Sequence, residues 1–187
     1  ISNTTGAYNS AFGYQALALN VSGINNSAFG FFSLLNNTNG GNNSAFGQYS
    51  LRNNTTGQSN TAMGSAAQFG NTFGFANNAF GVYALRNNNS GNRNNAFGSQ
   101  ALRYNTTGNN AAFGHYTLRN NTIGTANNAF GYYALKNNTT GNYNSAFGHK
   151  VLISNTIGVS NSAFGYLALS SNTTGGANNA FGWYSLG

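Results

Sequence analysis

The sequence predicts an all-β fold: a β-solenoid, or β-roll, built from eleven 17-residue coils and running through residues 1–187 as a single repeat domain. Three observations predict it. The tripeptide A-F-G recurs at Ala11, Ala28, Ala45, Ala79, Ala96, Ala112, Ala129, Ala146, Ala163 and Ala180, with A-M-G at Ala62. Every spacing is 17 residues except Ala96 to Ala112, which is 16. Each unit also carries two glycines and several Asn, Thr and Ser. These are poor helix formers, and 17 residues is too short for a helical-hairpin repeat.

With the Ala of A-F-G as slot 1, the consensus is A-F-G-x-x-A-L-x-x-N-T-T-G-x-x-N-S. Phe, Leu, Tyr and Thr supply strand propensity and the glycines supply turns, so each coil is expected to hold two short strands and two turns. One coil cannot bury its own apolar face. Stacked coils about 4.8 Å apart can, which makes a rod roughly 50 Å long.

The large apolar constants are the expected core. In slot 2 these are Phe12, Phe29, Phe46, Phe80, Phe97, Phe113, Phe130, Phe147, Phe164 and Phe181. In slot 7 they are Leu17, Leu34, Leu51, Leu85, Leu102, Leu118, Leu135, Leu152 and Leu169, with Gln68 as the exception. Small residues in slots 1 and 6 are expected to allow close backbone or subunit approach. Slot 12 mixes Thr with Phe73, Ile123 and Ile157 and is expected to be partly buried; by the two-residue period of a strand, slot 10 shares its side. That turns Asn20, Asn37, Asn54, Asn71, Asn88, Asn105, Asn121, Asn138, Asn155 and Asn172 inward. There each amide can donate to one neighbour and accept from the other. An unpaired buried amide costs about 1–3 kcal/mol, so such a ladder also fixes register. Slot 16 is likewise always Asn, and slot 11, facing outward, is Thr in nine of eleven coils.

The charge balance removes most enzyme classes. The chain has no Asp and no Glu against seven Lys and Arg, a net charge of +7. Paired carboxylates and a Ser-His-Asp triad are therefore absent, and oxygen-rich cation sites lack their usual ligands. There is no cysteine. His115 and His149 lie two repeats apart in a variable slot and read as surface residues, too few for a metal site. No apolar run approaches the length of a membrane-spanning helix. The reading is a non-enzymatic protein with no cofactor, no metal and no membrane insertion.

At N-S-A-F-G-x-x-A-L the chain resembles a known motif, seen in "NSAFGYQAL" (Asn9 to Leu17) and "NNAFGYYALKNNTTG" (Asn127 to Gly141). It is similar to the N-T-A-I-G-x-x-A-L-x-x-N-T-T-G arrays of bacteriophage tail fibres and related surface proteins. It also resembles the β-roll head repeats of trimeric autotransporter adhesins. The resemblance implies an extracellular, cell-surface or virion-surface fibre, often trimeric, used as a stalk or for attachment.

Two columns stand out as candidate contact surfaces. Arg52, Arg86, Arg103, Arg119 and Lys136 all occupy slot 8, interrupted at Phe69. Such a column suits an anionic glycan or other surface polyanion; it also serves as a solvated stripe that keeps sheet edges apart. Slots 4 and 5 are rich in aromatics, among them Tyr49, Tyr83, Tyr116, Tyr132, Tyr133, Tyr166, Trp183 and Tyr184. These read as a subunit or lateral interface ahead of a sugar platform. The Thr column raises an ice-binding alternative. The triplets Asn54-Thr55-Thr56 and Asn138-Thr139-Thr140 are formal glycosylation sequons, usable only if their Asn faces solvent. Ile1 and Gly187 both fall in slot 8, in phase for one array to continue into another. The principal expected partner is therefore the protein itself. The expected role is a structural fibre that assembles by coil stacking and lateral aromatic packing. An adhesin or tail-fibre receptor-binding module recognising glycans or anionic polymers is the alternative.

Overall fold

The computed structural model describes residues 3–187; Ile1, one half of the phase argument, lies outside them. The architecture is a β-solenoid whose eleven strands are β1 (Ser10–Phe12), β2 (Ser27–Phe29), β3 (Ser44–Phe46), β4 (Thr61–Met63), β5 (Asn78–Phe80), β6 (Asn95–Phe97), β7 (Ala111–Phe113), β8 (Asn128–Phe130), β9 (Ser145–Phe147), β10 (Ser162–Phe164) and β11 (Asn179–Phe181). They form one parallel sheet in sequence order, each strand paired with the next in strict slot register. The 16-residue coil keeps that register: Ala96 pairs with Ala112 and Phe97 with Phe113. No helix long and apolar enough to cross a membrane occurs among the described residues.

Each coil holds one three-residue strand where two were expected. The rest of the coil is stacked turns, and those turns still hydrogen-bond from coil to coil. Leu34 N–H donates to Ser50 O (3.0 Å), and Phe32 N–H donates to Tyr14 O (3.0 Å). The peptides alternate in direction because three non-glycine residues per coil, in slots 5, 7 and 15, take positive φ. In the coil starting at Ala129 these are Tyr133 (φ 60), Leu135 (φ 50) and Tyr143 (φ 58). A left-handed L-residue costs on the order of 1–2 kcal/mol. Here the cost is offset because each such peptide lies along the rod axis and finds a partner above or below.

The core is small and layered. Slot 1 Ala and slot 7 Leu are buried throughout most of the rod, with slot 6 beside them; Ala129, Ala134 and Leu135 are fully buried. The slot 2 phenylalanines are not in this core, which corrects the expectation from their size. Phe12, Phe29, Phe46 and Phe181 are exposed, and Phe80, Phe97, Phe113, Phe130, Phe147 and Phe164 are half-buried on the outer face. The reason is the strand's two-residue alternation. Slots 1 and 2 point to opposite faces, and the narrow interior takes the methyl group of Ala. Outside, the rings pack on one another: Phe113 and Phe130 lie 4.5 Å apart at 2°, and Phe147 and Phe164 lie 4.8 Å apart at 2°. Phe73, Ile123 and Ile157 in slot 12 are likewise exposed, against the expectation of partial burial.

The two constant glycines answer to this stacking. Gly64 in slot 3 has φ 132, and a Cβ there would lie 2.7 Å from Gly81 O in the next coil. Gly57 in slot 13 would carry a Cβ 2.7 Å from Asn71 Nδ2. Neither place has room for a side chain.

Candidate functional site

Two asparagine columns run through the interior. In slot 10, Asn37 Nδ2 donates to Asn20 Oδ1 (2.8 Å) and to Gly40 O (2.9 Å). The same pair of bonds recurs at Asn54, Asn138 and Asn155. In slot 16, Asn43 Nδ2 donates to Asn26 Oδ1 (3.2 Å) and to Gly57 O (2.8 Å), while Asn43 N–H also donates to Asn26 Oδ1 (3.0 Å). The slot 13 carbonyl joins the columns. Gly40 O accepts from Asn37 in its own coil and from Asn26 in the coil before (2.8 Å). In the regular coils the interior amides thus have both donor and acceptor engaged, the condition for burying them. The second column was visible as constant Asn, but its bond to the backbone of the next coil leaves no sequence signature. Asn54 and Asn138, the sequon asparagines, are fully buried and closed to glycan attachment in the folded chain.

The slot 11 threonines also work inward. Thr38 and Thr55 donate their Oγ1 hydroxyls to the slot 11 carbonyls of Thr55 and Thr72 (both 3.1 Å). Their donor hydrogens are spent within the rod, which leaves only acceptor capacity toward water.

Slots 4, 5 and 8 converge on one strip of surface. Arg52, Arg86, Arg103, Arg119 and Lys136 are half-buried, lying against the neighbouring aromatic rings. The Arg86 guanidinium carbon is 5.4 Å from the centroids of both Phe69 and Tyr83, and that of Arg103 is 5.2 Å from Tyr83 and 5.0 Å from Tyr104. Lys136 Nζ is 4.8 Å from Tyr133. Ring faces carry negative quadrupole density, so these contacts hold cations that have no side-chain carboxylate anywhere in the chain. Tyr49, Tyr116, Tyr133 and Tyr166 are half-buried; Tyr83, Tyr132, Trp183 and Tyr184 are exposed. Tyr116 and Tyr133 stack in slot 5 at 5.2 Å.

The histidines join the slot 4 stack. His115 lies 5.6 Å from Tyr132, Tyr132 lies 5.4 Å from His149, His149 lies 5.0 Å from Tyr166, and Tyr166 lies 4.4 Å from Trp183. This interleaving escaped the sequence reading because slot 4 looks variable until residues one coil apart are set side by side.

Between Phe32 and Tyr133 the slot 5 aromatic column is broken at two places. At Gln100 the amide fills the break: Arg103 Nη1 and Arg119 Nε both donate to Gln100 Oε1 (2.9 Å each), and Gln100 Nε2 donates to the Tyr116 hydroxyl (3.1 Å). At Ala66 nothing fills it. A notch of about 430 Å³ opens there between Tyr49 and Tyr83, with Arg52, Arg86, Gln48, Ser65 and Phe69 around it. The likeness to tail-fibre and adhesin-head arrays rests on the repeat motif and the coil it builds; neither a family model, nor a curated protein, nor a solved structure matches the chain.

Proposed function

We propose that the chain is a non-enzymatic structural element of an extracellular or surface fibre. It extends by coil stacking and associates sideways with a second copy of itself. The observation that carries this reading is the outward Phe column. From Phe80 to Phe181 the rings stand 4.5–5.0 Å apart in nearly parallel planes on the outer face of the sheet. A long, uncharged, half-exposed apolar strip is a contact surface, and a second rod carries the same ring spacing. Two such strips therefore mate along their length without accumulating mismatch. The slot 4 and 5 aromatics serve this less well, because they border the basic column, where two like-charged rods repel. Coil stacking is supported by the repeat itself: successive strands pair in one slot register, and a coil of another copy carries the same register. The repeat motif's likeness to fibre arrays supports a place outside the cell or on a virion. The threonine hydroxyls, tied to the backbone, favour a structural role for slot 11 over ice binding.

Electron microscopy and sedimentation of the purified protein test the proposal. The expected result is bundles or filaments that grow with concentration. A triple variant, Phe113→Ser, Phe130→Ser and Phe147→Ser, should lose the sideways association and give no bundles, while end-to-end stacking is left untouched. Single rods of the unaltered protein at every concentration would overturn the reading.

A further inference from the structure

We propose that the notch at Ala66 is a binding slot for a carboxylated pyranose ring, a uronic acid residue of an acidic polysaccharide. This goes beyond the self-assembly reading and does not depend on it.

Tyr49 and Tyr83 occupy slot 5 two coils apart, and the slot between them holds only the methyl group of Ala66. Adjacent rings in this column, such as Tyr116 and Tyr133, stand 5.2 Å apart. A two-coil interval of roughly 10 Å therefore admits one further ring, stacked on both tyrosines. Phe69 closes the side of the notch, edge-on to Tyr49 at 6.3 Å and 81°.

The charge requirement comes from the arginines. The Nε atoms of Arg52 and Arg86 are shielded from solvent and have no hydrogen-bond acceptor; Arg103 Nε shares that state, though its Nη1 is met by Gln100. No carboxylate side chain exists to meet them. The Gln100 break shows what such a position accepts: an oxygen held between the slot 5 tyrosines, taking Nη1 of one arginine and Nε of the next. Arg86 stands to Ala66 as Arg119 stands to Gln100, one coil further on in slot 8. A ligand carboxylate in the Ala66 notch supplies the oxygen that Gln100 supplies in its own coil.

The geometry also favours an anion borne directly on the ring. The guanidinium carbons of Arg52 and Arg86 lie 5.9 and 5.4 Å from the centroids of Tyr49 and Tyr83. A ring stacked between those tyrosines brings its own substituent to the arginines. A nucleotide carries its phosphate a sugar away from its base, which suits this spacing less well. The Gln48 amide and Ser65 hydroxyl at the notch offer partners for ring hydroxyls. Arg103, Arg119 and Lys136 continue the cationic column for neighbouring residues of the same polymer.

The test is calorimetric titration of the full chain at low salt with an oligogalacturonate hexamer, with maltohexaose and a dT12 oligonucleotide as comparisons. The expected result is saturable binding of oligogalacturonate, no binding of maltohexaose, and only such binding of dT12 to the basic column as the Ala66 variants leave unchanged. Ala66→Tyr should weaken it at least tenfold and leave the melting temperature unchanged or higher. Tyrosine fits there, since Tyr49 and Tyr83 already take the backbone conformation of Ala66 (φ 60, 59 and 52). If Ala66→Tyr does not fold, Ala66→Gln serves instead: its amide should occupy Arg86 as Gln100 occupies Arg119, with the same loss. Absence of oligogalacturonate binding overturns the proposal. So does binding that survives the Ala66 variants but falls on Arg103→Gln and Arg119→Gln, or binding of dT12 that Ala66→Tyr abolishes.

Discussion

The coil starting at Ala62 carries Met63, Gln68 and Phe73 in place of the consensus Phe, Leu and Thr, and Phe69 in the basic column, yet its ladders run on unbroken. Asn71 Nδ2 reaches Asn54 Oδ1 at 2.7 Å and Gly74 O at 3.1 Å, and Asn77 Nδ2 reaches Asn60 Oδ1 at 3.2 Å. The coil starting at Ala96 follows the consensus closely but lacks one residue, in slot 14. There the slot 10 ladder parts. Asn88 Nδ2 is stretched to 3.4 Å from Asn71 Oδ1, and Asn88 Oδ1 is buried with no partner. Asn105 Nδ2 turns to Thr107 O (2.7 Å), and Asn110 Nδ2 turns to Asn105 Oδ1 (3.2 Å). The carbonyl that should belong to slot 13 is now supplied by Thr107, to which Asn94 Nδ2 also donates (2.7 Å). The ladders are thus indifferent to which side chains surround them and sensitive to where the backbone carbonyls fall.

Substitutions separate the two. The largest effect should come from Gly64→Ala, in the coil that tolerates so much else. The new Cβ meets Gly81 and the φ is unfit for an L-residue, so a loss above about 4 kcal/mol is expected by chemical denaturation. A variant that melted like the unaltered protein would show that the backbone spacing is not the constraint. Next, Asn138→Leu should cost more than Asn88→Leu. Both take a donor from the coil before, from Asn121 Oδ1 at 2.7 Å and from Asn71 Oδ1 at 3.4 Å, but only the first also strands a donor in the coil after, Asn155 Nδ2, since Asn88 Oδ1 already has no partner. The difference should be about 1–3 kcal/mol. Inserting one Asn between Gly108 and Asn109 restores the 17-residue interval and should stabilise by a similar amount, about 1–3 kcal/mol, as Asn88 Oδ1 regains a donor. Gln68→Leu should give a smaller gain, about 1 kcal/mol, by removing the buried, unpartnered Gln68 Oε1. A loss instead would mean that the bonds from Gln68 Nε2 to Thr61 O (2.9 Å) and Asn77 O (3.1 Å) outweigh that orphan.

The smallest effect should be that of acid. Acid unfolding draws on carboxylates whose folded-state pKa is depressed, which lose their stabilisation as pH falls. The chain has no Asp or Glu to do so, in either coil. Melting temperatures at pH 2.5 and pH 5 should therefore nearly coincide.

Much of this was legible in the residues. The period, the slot 7 leucines and the inward slot 10 amides follow from spacing and from the need to pair what is buried. The side of the phenylalanines was misjudged because size was read as burial. A better signal was present: slot 1 is Ala in all eleven coils, whereas slot 2 admits Met63. A position that never grows marks a place without room, and alternation then sends slot 2 outward. The left-handed residues left no such trace. Slot 5 holds Phe32, Ala66, Lys150 and Leu167 in the same conformation, so backbone bonding between coils, and no property of the side chain, sets it. The Ala66 notch was hidden for a related reason: it is a missing ring, and it becomes visible only when coils are superposed.

The ladder bonds also share one sense. In slot 16 a backbone N–H faces Oδ1, as at Asn144 and Asn161, and a backbone N–H can only donate, so that atom must be oxygen. In slot 10 the carbonyl of the same coil's glycine fixes the other atom as nitrogen. Away from the short coil, each ladder amide therefore sends an N–H to the oxygen of the earlier coil and turns its own oxygen to the later one. Their dipoles add along the axis, as peptide dipoles do along a helix. No single amide can turn over without setting donor against donor, so the column is locked as a whole. Such a rod is a vector: its two ends are chemically unlike, and any fibre it joins must run head to tail.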